Sequence, residues 1–389
     1  MRIGIVTPGP WESTGYGVQS AYLLHMLRSL GHECAAFAFT GLHGSPLFWQ
    51  GFPVYPSIFA DMGQDLACHA RHFHADIVIP IMDAWVIEMA AWEGIRLVPY
   101  FPVDHSPLSP HLKDRLGSFF AAAVYSKWGQ QVCKEAGHDV AYIPCAVDTE
   151  VYTPTERAHA RDVLGWPQDR YIVGMVAANV GKPSRKAFEP QFRAFKLFQA
   201  EHPHALLYLH TFANSANETD GENLIRMLDA VGLVVDKDVF FVDQYAYLLS
   251  VPPAQMALAY SGMDVLLNVT MKEGFGVPLV EAQACGTPVI TGDWTANAEL
   301  CVAGWKVPRL RATVYGREID DDALYGPLGG YGVQPRVSAI VEALEKAYQD
   351  TSGDYLRHVA RQAALPYDVR RVAAEYWKPL LTELEARLG

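Results

Sequence analysis

Residues 2–7 read Arg-Ile-Gly-Ile-Val-Thr, and a glycine-bearing loop follows from Pro8 to Gly15-Tyr16-Gly17. The opening run is short and continuously apolar, as a buried parallel strand is. Val18, Ala21, Tyr22, Leu24, Leu27 and Leu30 then recur in the three- and four-residue rhythm of an apolar helix face. Gly31 stops that helix, and residues 34–39 resume the apolar run. Strand, loop, helix and strand in this order open a doubly wound α/β domain. Apolar runs at 77–81, 97–101, 122–125 and 141–143 extend its parallel sheet.

The pattern breaks at residues 144–154, an aperiodic stretch bracketed by prolines that reads as a linker. A second α/β series begins beyond it. Strands are expected at 171–177, 205–210, 238–242, 265–269 and 288–291, with an amphipathic helix at 188–201. Late helices are expected at 336–350 and 369–388. The reading is an N-terminal Rossmann-like domain over 1–150 and a second over 151–365. A final helix over 366–389 would cross back to the first. Two such domains facing each other leave an interdomain cleft, where loops at the carboxyl ends of the strands carry chemistry.

The 389 residues are half hydrophobic and carry a net charge of −12, enough apolar material for sizeable cores. That balance argues against a broad basic surface that coats nucleic acid. No stretch reads as a membrane-spanning helix, and the N-terminus lacks the apolar core of a signal peptide. Six scattered cysteines without a Cys-x-x-Cys pair suit a reducing, cytoplasmic setting. The cluster Cys68-His69-Ala-Arg-His72-Phe-His74 lacks a second cluster at ligand spacing and reads as a solvated helix face.

The richest chemistry lies in Glu273-Gly-Phe-Gly-Val-Pro-Leu-Val-Glu281-Ala-Gln-Ala-Cys-Gly286-Thr-Pro288, just after an expected strand. Gly274, Phe275, Gly276 and Val277 lead into a helix, with Pro278 at an early position that needs no N–H. Such a helix start presents free N–H groups and partial positive charge to a phosphate or hydroxyl. Glu273 in the loop and Glu281 one turn inside can each accept hydrogen bonds from a polyhydroxylated ligand. Taken singly, each glutamate also fits an ordinary strand-to-helix turn.

This segment resembles the retaining GT-B glycosyltransferases of family 4. Members carry a Glu-seven-residues-Glu motif followed by Ala-x-Ala-x-Gly-x-Pro-Val, matched here by Glu273, Glu281 and residues 282–290. Thr270 matches a Ser or Thr common three residues before the first glutamate. With the glycine-rich first loop and the linker, the resemblance covers nearly the whole chain. It implies that Glu273 meets the donor sugar and Glu281 the nucleotide ribose. It implies a donor domain at the C-terminal side, an acceptor domain at the N-terminal side, and no bound metal. No Asp-x-Asp motif of the metal-dependent type is present, and Asp320-Asp321-Asp322 reads as a solvated acidic run.

A diphosphate leaving group gathers negative charge, which fixed cations stabilise. Asn179-Val-Gly-Lys182-Pro-Ser-Arg185-Lys186 supplies them after the first strand of the second half. The family usually places an Arg there and a Lys about five residues on. Here Asn179 occupies the expected Arg position. The diphosphate role passes to Arg185 and Lys186 jointly, with Lys182 a weaker candidate. Gly15 and Gly17 offer close backbone approach to the diphosphate, without the full dinucleotide-binding glycine spacing. On the acceptor side stand Asp104 and His105, with Asp83 beyond the strand at 77–81. A His there would orient the sugar or carry a proton. His210 and Tyr245 are candidates for the nucleotide pocket.

The function expected is metal-independent, retaining transfer of a hexosyl or pentosyl group from a nucleoside-diphosphate sugar, such as a UDP-sugar, to a hydroxyl. Alternatives are an epimerase or phosphorylase on the same fold, or an inactive sugar-nucleotide-binding module. The acceptor stays open among small molecules, glycans, lipids, proteins and modified DNA bases. So does the oligomeric state.

Overall fold

The computed structural model describes residues 1–39, 46–58, 63–214, 221–309, 312–314, 317–319, 323–325 and 331–389. Asp320-Asp321-Asp322 lies outside them. The chain divides into two compact units, Met1–Ala146 with Tyr367–Gly389, and Val147–Pro366.

In the first unit, β1 (Arg2–Thr7), β2 (Glu33–Ala38), β3 (Leu47–Trp49), β4 (Phe52–Pro56) and β5 (Ile77–Pro80) form one sheet in the order β3-β4-β2-β1-β5. All neighbours are parallel except β3, which lies antiparallel at the edge. Three two-residue strands, β6 (Tyr100–Phe101), β7 (Ala123–Val124) and β8 (Ala141–Tyr142), run parallel to one another. Bridges from Val78 to Leu97 and from Ile81 to Tyr100 carry the layer from β5 to β6. The run expected at 97–101 is therefore interrupted: Leu97 pairs with Val78 of β5, and Tyr100 with Ile81, the residue after β5. Pro99 between them has no N–H for a ladder.

The first helix starts at Gly15, three residues before its apolar face begins. The Thr14 hydroxyl accepts the Gly17 N–H at 3.1 Å and caps it, so Gly15 and Gly17 are helical rather than in the loop. The carboxyl-terminal stretch is broken where one helix was expected. Val369–Val372 leads into a π turn at Ala373–Trp377, and Lys378–Leu388 follows. Pro379 has no N–H to continue the ladder, which loosens the preceding turn. That turn buries Trp377 edge-on against Tyr100, 5.2 Å between ring centres. Tyr376 meets Tyr142 in the same way at 5.5 Å.

In the second unit, β9 (Tyr171–Val176), β10 (Ala205–His210), β11 (Val239–Phe241), β12 (Val265–Asn268), β13 (Val289–Gly292) and β14 (Gly304–Val307) form one parallel sheet. Their order is β11-β10-β9-β12-β13-β14. The chain runs outward from β9 to β11, then returns to lay β12 on the other side of β9. That reversal is the switch point of a doubly wound sheet, where ligands bind beyond the strand ends. The helix Phe188–Glu201 packs on the sheet through Phe188, Phe192, Phe195 and Phe198, all buried at the expected spacing. Two small antiparallel ladders, Ala312–Val314 with Arg317–Ile319 and Ala323–Tyr325 with Tyr331–Val333, follow β14 in the chain. No periodicity announces them. Among the described residues, no helix is long and apolar enough to cross a membrane.

The two glycines of the first helix differ in what they tolerate. A Cβ on Gly17 would lie 2.4 Å from the Glu12 carbonyl oxygen, whereas one on Gly15 meets nothing within 4 Å. Gly17→Ala is expected to cost about 1–3 kcal/mol through that backbone clash. Gly15→Ala is expected to stay within about 1 kcal/mol of the parent. Urea unfolding of both variants checks the contrast, and equal losses contradict it.

Candidate active site

The switch point is held open by the sequence itself. β9 and β12 pair through Val173 with Val265 and Gly174 with Leu266, and their ladder ends there. The carboxyl end of β9 feeds the loop that carries Arg185 and Lys186. The carboxyl end of β12 feeds the loop that carries Glu273. Arg185 Nη1 donates to Glu273 Oε1 at 2.9 Å and to the Lys272 carbonyl at 3.2 Å. Lys186 Nζ donates to Glu273 Oε2 at 2.5 Å. Three of the residues singled out from sequence thus form one cluster, two cations on the two oxygens of one carboxylate. Burial by itself would raise the Glu273 carboxyl. The Arg185 and Lys186 charges outweigh it and hold the group below the ordinary glutamate value.

Glu281 sits in a different environment. It lies in the helix Val277–Ala284, which Gly276 caps at φ +115°. A Cβ on Gly276 would be 2.9 Å from Asn297 Oδ1, so both torsion and space require glycine there. Pro278 is the second residue of this helix, as its missing N–H permits. The Tyr260 hydroxyl donates to Glu281 Oε2 at 2.7 Å, and Tyr152 hydrogen-bonds the same carboxyl. Burial raises the Glu281 carboxyl, and the two tyrosine hydrogen bonds offset part of that rise. Gly274 and Phe275 are buried between the two glutamates, and Val277 opens the helix.

Thr270 is fully buried; its hydroxyl accepts from Asn297 Nδ2 at 3.0 Å and its carbonyl from Trp294 Nε1 at 3.0 Å. It therefore ties the end of β12 to the segment after β13. Asn179 bonds backbone with its whole amide. It donates to the Phe212 and Glu222 carbonyls at 3.1 and 2.8 Å and accepts from Glu222 N at 2.9 Å. It fastens the loop after β9 to the segment after β10, where an arginine would have projected a charge. His210 ends β10, with Nδ1 2.9 Å from the Tyr208 hydroxyl. Burial pulls its imidazole down to about 4, so the ring is neutral at pH 7. Tyr247, not Tyr245, stands against it, edge-on at 5.2 Å; Tyr245 is 70% exposed. Both tyrosines belong to the short helix Gln244–Leu248, and sequence offered no reason to choose between them.

The first unit holds the remaining candidates on the carboxyl edge of its sheet. Asp83 follows β5 and accepts from the Tyr16 hydroxyl at 3.1 Å. Asp104 follows β6, and its Oδ1 lies 2.7 Å from His105 Nδ1. His105 is buried, and among the described residues its other ring nitrogen, Nε2, has no hydrogen-bond partner. A carboxylate on one nitrogen orients the ring and leaves the other to a ligand. Among the described residues, no group of three or more His, Cys, Asp or Glu side chains is arranged to hold a metal ion. In the Cys68 cluster, His69 instead lies with Nε2 3.2 Å from the Pro56 carbonyl.

Residues 237–306, from β11 through both glutamates into β14, match the family model for glycosyl transferases group 1. Over that segment the chain is similar to the group 1 glycosyl transferases. Among curated relatives, the D-inositol 3-phosphate glycosyltransferase of Mycolicibacterium smegmatis is 30% identical over 144 residues, 37% of this chain and 30% of that protein. The protein of the same name from Corynebacterium jeikeium is 28% identical over 225 residues, 54% of this chain and 51% of that protein. The chain thus spans about half the length of these relatives at most. Among solved structures, sucrose-phosphate synthase from Thermosynechococcus elongatus superposes over 100% of both chains with a TM-score of 0.76 at 16% identity. HepE from Anabaena in complex with UDP-glucose covers 98% of this chain and 100% of its own, with a TM-score of 0.69 at 16% identity. The fold is therefore GT-B, as the sequence leads one to expect.

The paired carboxylate makes a prediction about acid stability. A carboxyl lowered by folding adds stability that is fully present above the ordinary value of 4.5 and is lost as pH falls through its folded value. Glu273→Gln lacks this titration and leaves two cations without their anion. The parent should exceed the variant in stability most at neutral pH, and the gap should narrow below about 4.5. Urea midpoints measured from pH 7 to pH 3.5 test this. A gap that holds constant or widens toward acid overturns the assignment of Glu273 as the carboxylate those cations hold charged.

Proposed function

We propose that this chain transfers a sugar, with retention, from a nucleoside-diphosphate sugar to an acceptor hydroxyl, without an essential metal. The observation that carries the proposal is the pair Arg185 and Lys186 meeting Glu273 at the switch point of the second unit. Glu273 lies within the segment that matches the group 1 glycosyl transferase model.

The chemistry follows from charge. When the bond between the anomeric carbon and the phosphate oxygen breaks, its electron pair stays on the diphosphate. Arg185 and Lys186 stabilise that charge from fixed positions, together with the N–H groups that open the helix Val277–Ala284. Glu273 accepts hydrogen bonds from the sugar hydroxyls, and Glu281 accepts them from the ribose. The departing phosphate, on the face it leaves, takes the proton of the attacking hydroxyl, which preserves the configuration. His210 and Tyr247 belong to the nucleotide side. Asp83, Asp104 and His105 belong to the acceptor side, where carboxylates and a ring nitrogen with no partner among the described residues suit hydroxyl-bearing ligands.

The test is turnover of UDP-, GDP- and ADP-sugars against an acceptor panel, with EDTA present and products read by mass spectrometry. D-inositol 3-phosphate heads the panel because the curated relatives carry that name. The parent should form a glycoside of retained configuration and a free nucleoside diphosphate. Glu273→Ala and the double variant Arg185→Ala/Lys186→Ala should each lose about 100-fold or more in kcat. Full activity in both variants overturns the site, and loss of parent activity in EDTA overturns the metal independence.

A further inference from the structure

The parting of β9 and β12 raises a question of hydrogen-bond satisfaction. Their ladder stops at Gly174 and Leu266, yet the chain beyond Leu266 remains buried through Thr270. The Val269 amide lies in that stretch, beyond the last β9–β12 pair, and among the described residues no strand pairs with it on the β9 side. A buried N–H must find a partner. It finds the side chain of Gln191, whose Oε1 accepts it at 2.9 Å.

Gln191 itself comes from the fourth position of the helix Phe188–Glu201 and is 1% exposed. Its Nε2 donates to the Lys186 carbonyl at 2.7 Å and to the Ala187 carbonyl at 3.1 Å. One side-chain amide therefore joins the two loops of the cluster, gripping the residue that carries one cation and the strand end that leads to Glu273. The grip falls on a strained link. Ala187 is buried at φ +52°, ψ +46°, a left-handed conformation that a residue with a Cβ adopts reluctantly. Such conformations persist where surrounding contacts over-determine them, and at functional sites above all. A second tie, Met271 N to the Arg185 carbonyl at 2.8 Å, lies on the same seam.

We propose that Gln191 is a positioning residue that sets the Arg185 and Lys186 pair against Glu273 and so tunes the grip on a diphosphate. The proposal rests on the reading of Arg185 and Lys186 as diphosphate groups. Gln191 touches no substrate in it; it acts through Lys186, Ala187 and Val269.

Binding of UDP and UMP to the full chain, followed by calorimetry, separates positioning from general damage. The second phosphate alone should register a shift of the cations. Gln191→Glu keeps an acceptor for Val269 N and, when ionised, removes both donations. Gln191→Leu removes all three bonds; thermal unfolding checks that each variant is folded. Both variants should weaken UDP about tenfold while UMP stays within about twofold. If Gln191→Leu does not fold, Gln191→Glu alone decides. Variants that retain the parental preference for UDP, or lose UDP and UMP equally, overturn the proposal. Arg185→Ala distinguishes the underlying reading. Should the parent not prefer UDP, or Arg185→Ala keep that preference, the diphosphate reading falls and the proposal with it.

Discussion

Two neighbouring strands that separate leave buried peptide groups on both sides, and those groups must be satisfied without a ladder. The second unit is organised around this constraint. β9 and β12 separate after two residue pairs, and side chains and loop backbone take over the bonding. Gln191 serves the Val269 amide, the Arg185 carbonyl serves the Met271 amide, and Asn297 and Trp294 serve Thr270. Because these groups are bonded within the protein, the loops above them are held at fixed positions. The carboxylate and the two cations owe their geometry to that framework.

The two glutamates of the same short motif show how environment divides labour. Glu273 faces two cations and is held charged. Glu281 faces two tyrosine hydroxyls and is pushed toward its neutral form by burial. Tyr260, fully buried on the helix Pro253–Gly262, reaches the carboxyl across a sequence separation of 21 residues. An identical side chain thus has opposite electrostatic settings at the two ends of one helix start, and the difference lies in partners that the motif does not contain.

That distinction also marks how much could be read from the sequence. The strands β9, β10 and β12 and the helix Phe188–Glu201 announce themselves through continuous apolar runs and a three-and-four spacing. The glutamates and the basic pair stand out because charge is conspicuous beside glycine and an apolar strand. Gln191 does not stand out. It is a neutral polar residue inside a phenylalanine-rich helix, and its partner Val269 lies 78 residues away. Asn179 was visible as a departure from an expected arginine, but its role as a backbone fastener depends on Phe212 and Glu222. The choice of Tyr247 over Tyr245 follows from the orientation of a five-residue helix, which residue type alone does not encode. The π turn before Lys378 had a local cause in Pro379, but the burial of Trp377 against Tyr100 depends on distant chain.

The pairing of cations with Glu273 bears on catalysis as well as on stability. A cation that must be drawn from solvent to a developing charge pays for reorganisation during the reaction. Arg185 and Lys186 are already drawn in by a carboxylate, and backbone bonds at Lys186, Ala187 and Met271 hold their loop. On the proposed reading, an arriving diphosphate would share these cations with Glu273 instead of recruiting them. The carboxylate that competes for them is the one read as binding the sugar hydroxyls, so its grip on the sugar can strengthen as the diphosphate takes up the positive charge. A net charge of −12 does not conflict with that reading, because charges close to a site dominate its local field and the overall sign acts only at longer range.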